Sequence, residues 1–341
     1  MASTNISFLS CRGRGMSYDM NLIHTHLSQI ISDAEFRYFV TNEVSSNYMV
    51  RQGITASKKI FCKKIENLIC TDISLTNQMD ISTSKGKRVL VAVPFGYQFE
   101  KAVLYEEKQE KKDTLKNFSH ILVSSPFTKS VFEKSYNLEG VEILDGICSP
   151  FAWEINQEEC RQQRKEELSF YYPELTGKKV LAIMTNGKLS AKKKEEWDAF
   201  DFKQFIDQLD ENWFILTNCK QVLNASSKLS NQYKTRLGFV SNLLSGADIL
   251  YIADTLITNN SMYASCFASR RKPLYCLEYS NTNMEKYVQK NFKDAYLESL
   301  ADFSFENDLE KTDLTFCEHL SYLPEKDPYE VIKNIFISDK K

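Results

Sequence analysis

The turn Thr258-Asn259-Asn260-Ser261 stands between a short apolar run, residues 255–258, and a stretch, residues 262–270, that reads as a helix. Where a strand turns into a helix, the first backbone N–H groups of the helix have no intrahelical acceptor and carry the positive end of its dipole. Here those groups belong to Ser261, Met262 and Tyr263. Amides converging in this way attract a phosphate, and the side chains of Asn260 and Ser261 can add donors. The bland reading is an ordinary helix cap, since Asn and Ser are favoured there. A second turn of the kind, Thr185-Asn186-Gly187, follows the apolar run 180–184, and Gly187 leaves room for a ligand to approach the backbone. The candidates for holding a phosphorylated ligand are thus Asn186, Gly187, Thr258, Asn259, Asn260, Ser261 and Met262.

Other chemistries are poorly supplied. Gly13-Arg14-Gly15 opens near the N-terminus, but the next glycine of a dinucleotide fingerprint would fall at Tyr18. Arg12 and Arg14 are expected either to hold an anion or to be surface charges, and Asp19, just past the loop, is a candidate base. His24 and His26 are two apart and share no helical face, so a metal pair is not expected. Nine Cys are present with no C-x-x-C and no zinc spacing, and Cys266 and Cys276 lie in apolar runs, as buried free thiols in a reducing compartment would. Neither a G-x-S-x-G elbow nor a Walker A loop occurs.

The elements that must position these residues alternate between short apolar strands and helices. In the first half strands are expected at 6–9, 36–40, 88–93, 120–124 and 141–144, and in the second at 180–184, 213–216, 255–258 and 273–277. Helices are expected after the glycine loop, at 101–117, from 125, at 243–253, at 262–270 and at 329–337. Apolar strands alternating with helices imply parallel sheets covered on both faces. The stretch 149–177, with Ser149-Pro150, a charged run and Pro173, reads as a linker. The expected fold class is α/β with two Rossmann-like domains facing across a cleft: residues 1–150 on the acceptor side, a linker at 151–177, and a nucleotide-donor domain at 178–341.

Composition narrows the field. A length of 341 residues gives a prior of two domains, at roughly 150 residues each. A formal net charge of −2 excludes a globally basic nucleic-acid binder. Residues 1–10 lack a basic segment followed by an apolar one, and no apolar run reaches the roughly 18–20 residues of a membrane helix, so a soluble cytoplasmic protein is expected. The stretch 57–65 mixes Lys with Ile and Phe and reads as an amphipathic helix, either solvated or lying on an anionic bilayer at the inner face of the membrane.

The order of these segments resembles the CDP-glycerol glycerophosphotransferase family of teichoic-acid and capsule enzymes, which have a GT-B fold. Three stretches between Val89 and Tyr287 carry the resemblance. They are His120-Ile-Leu-Val-Ser-Ser-Pro-Phe-Thr-Lys-Ser-Val-Phe, Lys178-Lys-Val-Leu-Ala-Ile-Met and Ala253-Asp254-Thr-Leu-Ile-Thr-Asn-Asn-Ser261. The last looks like the family's aspartate, strand and T-D-Y-S-S turn. Departures are specific. Pro94-Phe95-Gly96 stands where the family has His-Gly-Thr, and Thr217-Asn218-Cys219-Lys220 where it has Arg-x-His-Pro.

The resemblance implies transfer of a glycerophosphate or glycosyl group from a nucleotide-activated donor, CDP-glycerol or a nucleotide sugar, to a cell-surface polymer or glycan. The helix after Ser261 would stabilise charge on the leaving nucleotide phosphate, a role that requires no metal or other cofactor. With the family His replaced, Asp19 and Glu100 are the candidate bases, His24 a weaker one, and Glu278 would mark a ribose contact. A non-catalytic relative that binds donor or glycan is the other expectation, because fold does not fix function.

Overall fold

Among the described residues every ladder between strands is parallel, as the apolar, β-branched runs predict. The structure, a computed structural model, describes residues 4–9, 18–31, 34–40, 58–61, 73–76, 87–91, 97–185, 195–196, 199–219, 222, 235–239, 246–277, 283–321 and 326–337. The chain forms two compact units, residues 1–153 together with 322–341, and residues 154–321.

The first unit holds a seven-stranded sheet in the order β3-β2-β1-β4-β5-β6-β7. Its strands are β1 Thr4–Leu9, β2 Ala34–Val40, β3 Lys58–Phe61, β4 Ile73–Thr76, β5 Lys87–Val91, β6 His120–Leu122 and β7 Glu142–Leu144. Helix α1, Tyr18–Ile30, lays Met20, Ile23 and Leu27 at helical spacing over Ile6, Phe8 and Tyr38. The next helices are α2, Tyr97–Glu107, which starts and ends earlier than expected, and α3, Pro126–Ser135. Ser125 caps α3, accepting from the Thr128 amide at 3.1 Å, and proline occupies the first turn, where its missing N–H costs nothing.

Three expectations are corrected here. Residues 58–61 are not helical but form β3, pairing with β2 at the sheet edge. The stretch 151–177 is not an open linker: it contains the end of α4, Pro150–Glu154, then α5, Glu158–Tyr171, and a 3-10 turn, Pro173–Leu175. Its charges support the helix through pairs one turn apart, Arg161 with Glu158 at 2.8 Å and Arg164 with Glu167 at 2.7 Å. Finally, the C-terminal helix joins the first unit rather than the donor unit. Its Tyr329, Ile332, Ile335 and Phe336 are buried in the core beneath β1 and α1, and the Tyr329 ring stacks on His26 at 3.7 Å.

His24 sits inside this core, with its ring edge-on to Phe8, Phe36 and Tyr38 at 5.7, 5.4 and 5.0 Å. Burial pushes its pKa down to about 4. A group whose folded pKa is depressed costs stability once the unfolded chain begins to bind the proton. His24 therefore leaves stability intact above pH 6.5 and erodes it between pH 6.5 and 4, by up to about 1.4 kcal/mol per pH unit. Urea melts at pH 7.5 and 5.0 should show that loss in the parent and a smaller one in His24→Phe. Equal losses in both would remove His24 from the explanation.

The second unit holds a six-stranded sheet in the order β10-β9-β8-β11-β12-β13. The strands are β8 Lys179–Met184, β9 Trp213–Thr217, β10 Leu237–Phe239, β11 Thr255–Thr258, β12 Leu274–Leu277 and β13 Tyr296–Leu297. Numbered from its own first strand, this is the 3-2-1-4-5-6 order of dinucleotide-binding sheets. Helices α6, Phe202–Asp207, α7, Gly246–Ile252, α8, Ser261–Ala268, and α9, Asn283–Asn291, follow strands of this sheet, and α10, Leu314–Leu320, closes the unit. One face of the sheet, Leu181, Ile183, Ile215, Ile257, Tyr275 and Leu277, packs on Phe202, Phe205 and Ile206 of α6.

Gly238 marks a close approach at the edge of this sheet. A Cβ there would lie 2.7 Å from Leu216 Cδ2 and 2.8 Å from Phe214 Cε1, both on buried side chains. Gly238→Ala should therefore destabilise by about 1–3 kcal/mol through overpacking. A chemical melt within 0.5 kcal/mol of the parent (about the scatter of neutral surface changes) would contradict the fit.

Candidate active site

Strands β8 and β11 are neighbours, with Met184 opposite Thr258, and the chain leaves them in opposite directions across the sheet, toward β9 and toward β12. The carboxyl ends of such a pair are the switch point at which doubly wound sheets bind ligands. Both turns singled out in the sequence begin there.

Two threonines build the corner. Thr258 Oγ1 donates to Met184 O at 2.6 Å and accepts the Asn260 amide at 3.0 Å. Across β8, Thr217 Oγ1 donates to Ile183 O at 2.7 Å and accepts the Cys219 amide at 3.0 Å. Successive carbonyls of a strand point to opposite sides, so β8 is tied to each neighbour by the same device. Each hydroxyl also turns its own chain by taking the N–H two residues on. Thr258 is wholly buried, so it shapes the turn from within.

Asn260 caps α8. Its side-chain oxygen accepts from the amides of Met262 at 3.0 Å and Tyr263 at 3.4 Å, while its carbonyl accepts the first helical bond, from Ala264 N at 2.9 Å. The expectation of three free amides is corrected accordingly, because the cap holds two of them. The capping oxygen also marks where an oxygen of an anion would sit at the positive end of the helix. Asn259 and Asn260 are half-buried and Met262 is exposed. Burial pushes the Tyr263 phenol up, which keeps it neutral beside the turn.

The remaining candidates are distributed elsewhere. Asn186, Gly187 and Glu278, the side chains of Ser261 and Glu100, and Arg12, Arg14 and Pro94-Phe95-Gly96 lie outside the described residues. Glu100 belongs to the first turn of α2. Asp19, at the start of α1, accepts the Phe151 amide at 2.8 Å and so holds the N-terminus of α4. His24 is enclosed by rings, as described above, which removes it as a base.

Sequence reasoning missed Asn218. Its Oδ1 accepts the Thr185 amide at 2.7 Å and its Nδ2 donates to Thr185 O at 3.0 Å. The available signal was a repeat: β8, β9 and β11 all run into Thr-Asn, at Thr185-Asn186, Thr217-Asn218 and Thr258-Asn259. Among the described residues no cluster of His, Cys, Asp and Glu could hold a metal ion, and no helix is long and apolar enough to cross a membrane. Cys148, Cys219, Cys266, Cys276 and Cys317 are buried free thiols, as the apolar context of two of them predicts.

Known structures share this architecture. The Wall Teichoic Acid Polymerase TagF superposes with a TM-score of 0.64 at 14% identity, covering 98% of this chain and 89% of its own. A UDP-glucose: anthocyanidin 3-O-glucosyltransferase solved with UDP gives 0.52 at 10% identity, covering 100% and 94%. The S. aureus MnaA–UDP structure gives 0.55 at 12% identity, covering 99% and 97%. At these identities the likeness shows the fold, that of GT-B glycosyltransferases. No curated protein matches the sequence. The family model for CDP-Glycerol:Poly(glycerophosphate) glycerophosphotransferase matches residues 1–340, well beyond the Val89–Tyr287 region whose motifs carry the resemblance, and the chain belongs to that family.

Proposed function

We propose that the protein transfers glycerophosphate from CDP-glycerol, or a related group from another nucleotide-activated donor, to a hydroxyl of a cell-surface polymer or glycan. The observation that carries this reading is the switch point itself: the start of α8 and the end of β8 meet at the carboxyl edge of a 3-2-1-4-5-6 sheet in a chain of the glycerophosphotransferase family. Structures of TagF include one soaked with CDPG, and two further neighbours hold UDP, which supports a nucleotide donor here.

In this reading the acceptor oxygen attacks the phosphorus of the glycerophosphate. The P–O bond to CMP breaks, and the negative charge that builds on CMP is stabilised by the amides and dipole at the start of α8. The acceptor proton must pass to a base, for which Asp19 and Glu100 are the proposed residues. The protein would work in the cytoplasm at the inner face of the membrane, where polymer precursors are exposed. Flotation with anionic liposomes tests that placement, and no binding at low salt would end it.

A second reading, donor binding without transfer, is favoured by one observation. Thr217 and Cys219, which stand where the family resemblance expects Arg and His, are wholly buried and form bonds of the scaffold. CMP release from CDP-glycerol by the purified chain, with and without a glycerophosphate-primed acceptor, decides between the two. Acceptor-dependent release supports transfer. Saturable CDP-glycerol binding with no release supports the second reading, and no binding at all sinks both.

A further inference from the structure

The residue that follows β8, Thr185, is held by a side chain rather than by a strand. Beyond Thr217 the chain of β9 leaves the sheet, yet the Asn218 carboxamide accepts the Thr185 N–H and donates to the Thr185 C=O. A single amide group thus does for Thr185 what a neighbouring backbone would do, and it fixes the peptide planes on both sides of that residue. On the far side, Thr258 secures Met184 and turns the chain toward Asn260. The two sides of the switch point are therefore set by three side chains: Thr217, Asn218 and Thr258.

We propose that Asn218 is a positioning residue for the nucleotide-activated donor: acting through Thr185, it holds the mouth of β8 in register with the 258–262 turn, so that the phosphate-binding edge is formed before ligand arrives. The inference rests on the functional reading above and adds a residue to it. The role of Asn218 is exerted through Thr185. Both of its polar atoms bond Thr185, and Thr185 is itself buried. Prior ordering of a site lowers what binding must cost, so its loss is expected in affinity rather than in the chemical step.

The test compares Asn218→Asp and Asn218→Ala with the parent chain, using CDP-glycerol as the probe in calorimetry and steady-state assays. Asp is nearly isosteric and keeps the acceptor for the Thr185 N–H, but it sets an oxygen against the Thr185 carbonyl. Donor Kd and KM should rise about tenfold in the Ala variant and more in the Asp variant, while kcat changes less than about threefold. Unchanged affinity in a folded Asp variant overturns the positioning role, as does a fall confined to kcat. Failure of both variants to fold also overturns it, assigning Asn218 to the scaffold alone. If the parent chain binds no CDP-glycerol, the functional reading falls first and this inference with it, a result distinct from the others.

Discussion

Replacing Asn260 by Asp is expected to weaken CDP-glycerol binding by at least about fivefold, with little change in stability. Asn and Asp are near-equal helix caps, so a carboxylate would hold the Met262 and Tyr263 amides at least as well as the Asn260 oxygen does at 3.0 and 3.4 Å. An incoming phosphate must displace that oxygen and then share the site with a negative charge. At about 4 Å, two unit charges repel by about 1 kcal/mol in water and about 4 kcal/mol near a protein surface, a loss of fivefold to nearly a thousandfold. Asn260→Gly separates the effects. It empties the cap at a cost of only a few tenths of a kcal/mol and leaves the amides to the ligand, so affinity should equal or exceed that of the parent. Calorimetry on the three proteins reads the contrast. A folded Asp variant that binds within twofold of the parent would move the phosphate away from this helix.

The corner residues explain why part of the site could be read in advance. Asn260 and the strand before it are local: a buried run of four, a polar turn and a helix start leave a pattern within a few residues. What Asn218 does is not local, because its partner lies 33 positions earlier and meets it only once β8 and β9 pair. The same distinction runs through the fold. The paired strands with four or five apolar residues, such as β8 and β9, stand out in the sequence. β4, with only Ile73 and Leu75 apolar, and β3, with two lysines, do not. Lysines at a sheet edge discourage pairing with other chains, and in β3 that edge composition imitates an amphipathic helix. The charged run 158–167 imitates a linker for a related reason. Its helix is supported by pairs such as Gln162 with Glu166 and buries little more than Leu168, so hydrophobic periodicity is weak. The C-terminal helix was legible as a helix, but its return to the first unit depends on complementarity with Ile6, Phe8 and α1, which no local pattern encodes.

Arg270→Met is expected to cost about 2–6 kcal/mol through buried acceptors left without a donor. Arg270 lies at the opposite edge of the sheet from the site and is buried, with 8% of its surface exposed. Its Nη1 donates to Leu250 O at 2.9 Å, Tyr251 O at 3.2 Å and Ala253 O at 2.5 Å, the carbonyls that α7 leaves unpaired where it ends. Burial, with the nearby Arg161 charge, pulls the guanidinium down to about 9, so it keeps its charge at neutral pH and completes α7 with a cation at the negative end of the dipole. Removing it strands the Leu250 and Ala253 oxygens, each costing about 1–3 kcal/mol when left unsatisfied, while Tyr251 O keeps a donor in Arg161 Nε at 3.3 Å. The consequence reaches the site through the chain: Ala253 and Asp254 lead directly into β11, and Asp254 Oδ2 accepts the Val180 amide at 3.0 Å, which sets β11 against β8. Arg270→Lys should recover part of the loss, since all three bonds come from the single nitrogen Nη1 and an ammonium carries three donors, whereas the packing of the guanidinium plane over Phe267 is lost. Urea melts followed by tryptophan fluorescence, which reports on buried Trp213 of β9, measure the sequence parent, Lys, Met. A Met variant within 1 kcal/mol of the parent would show that α7 ends just as well without the buried cation.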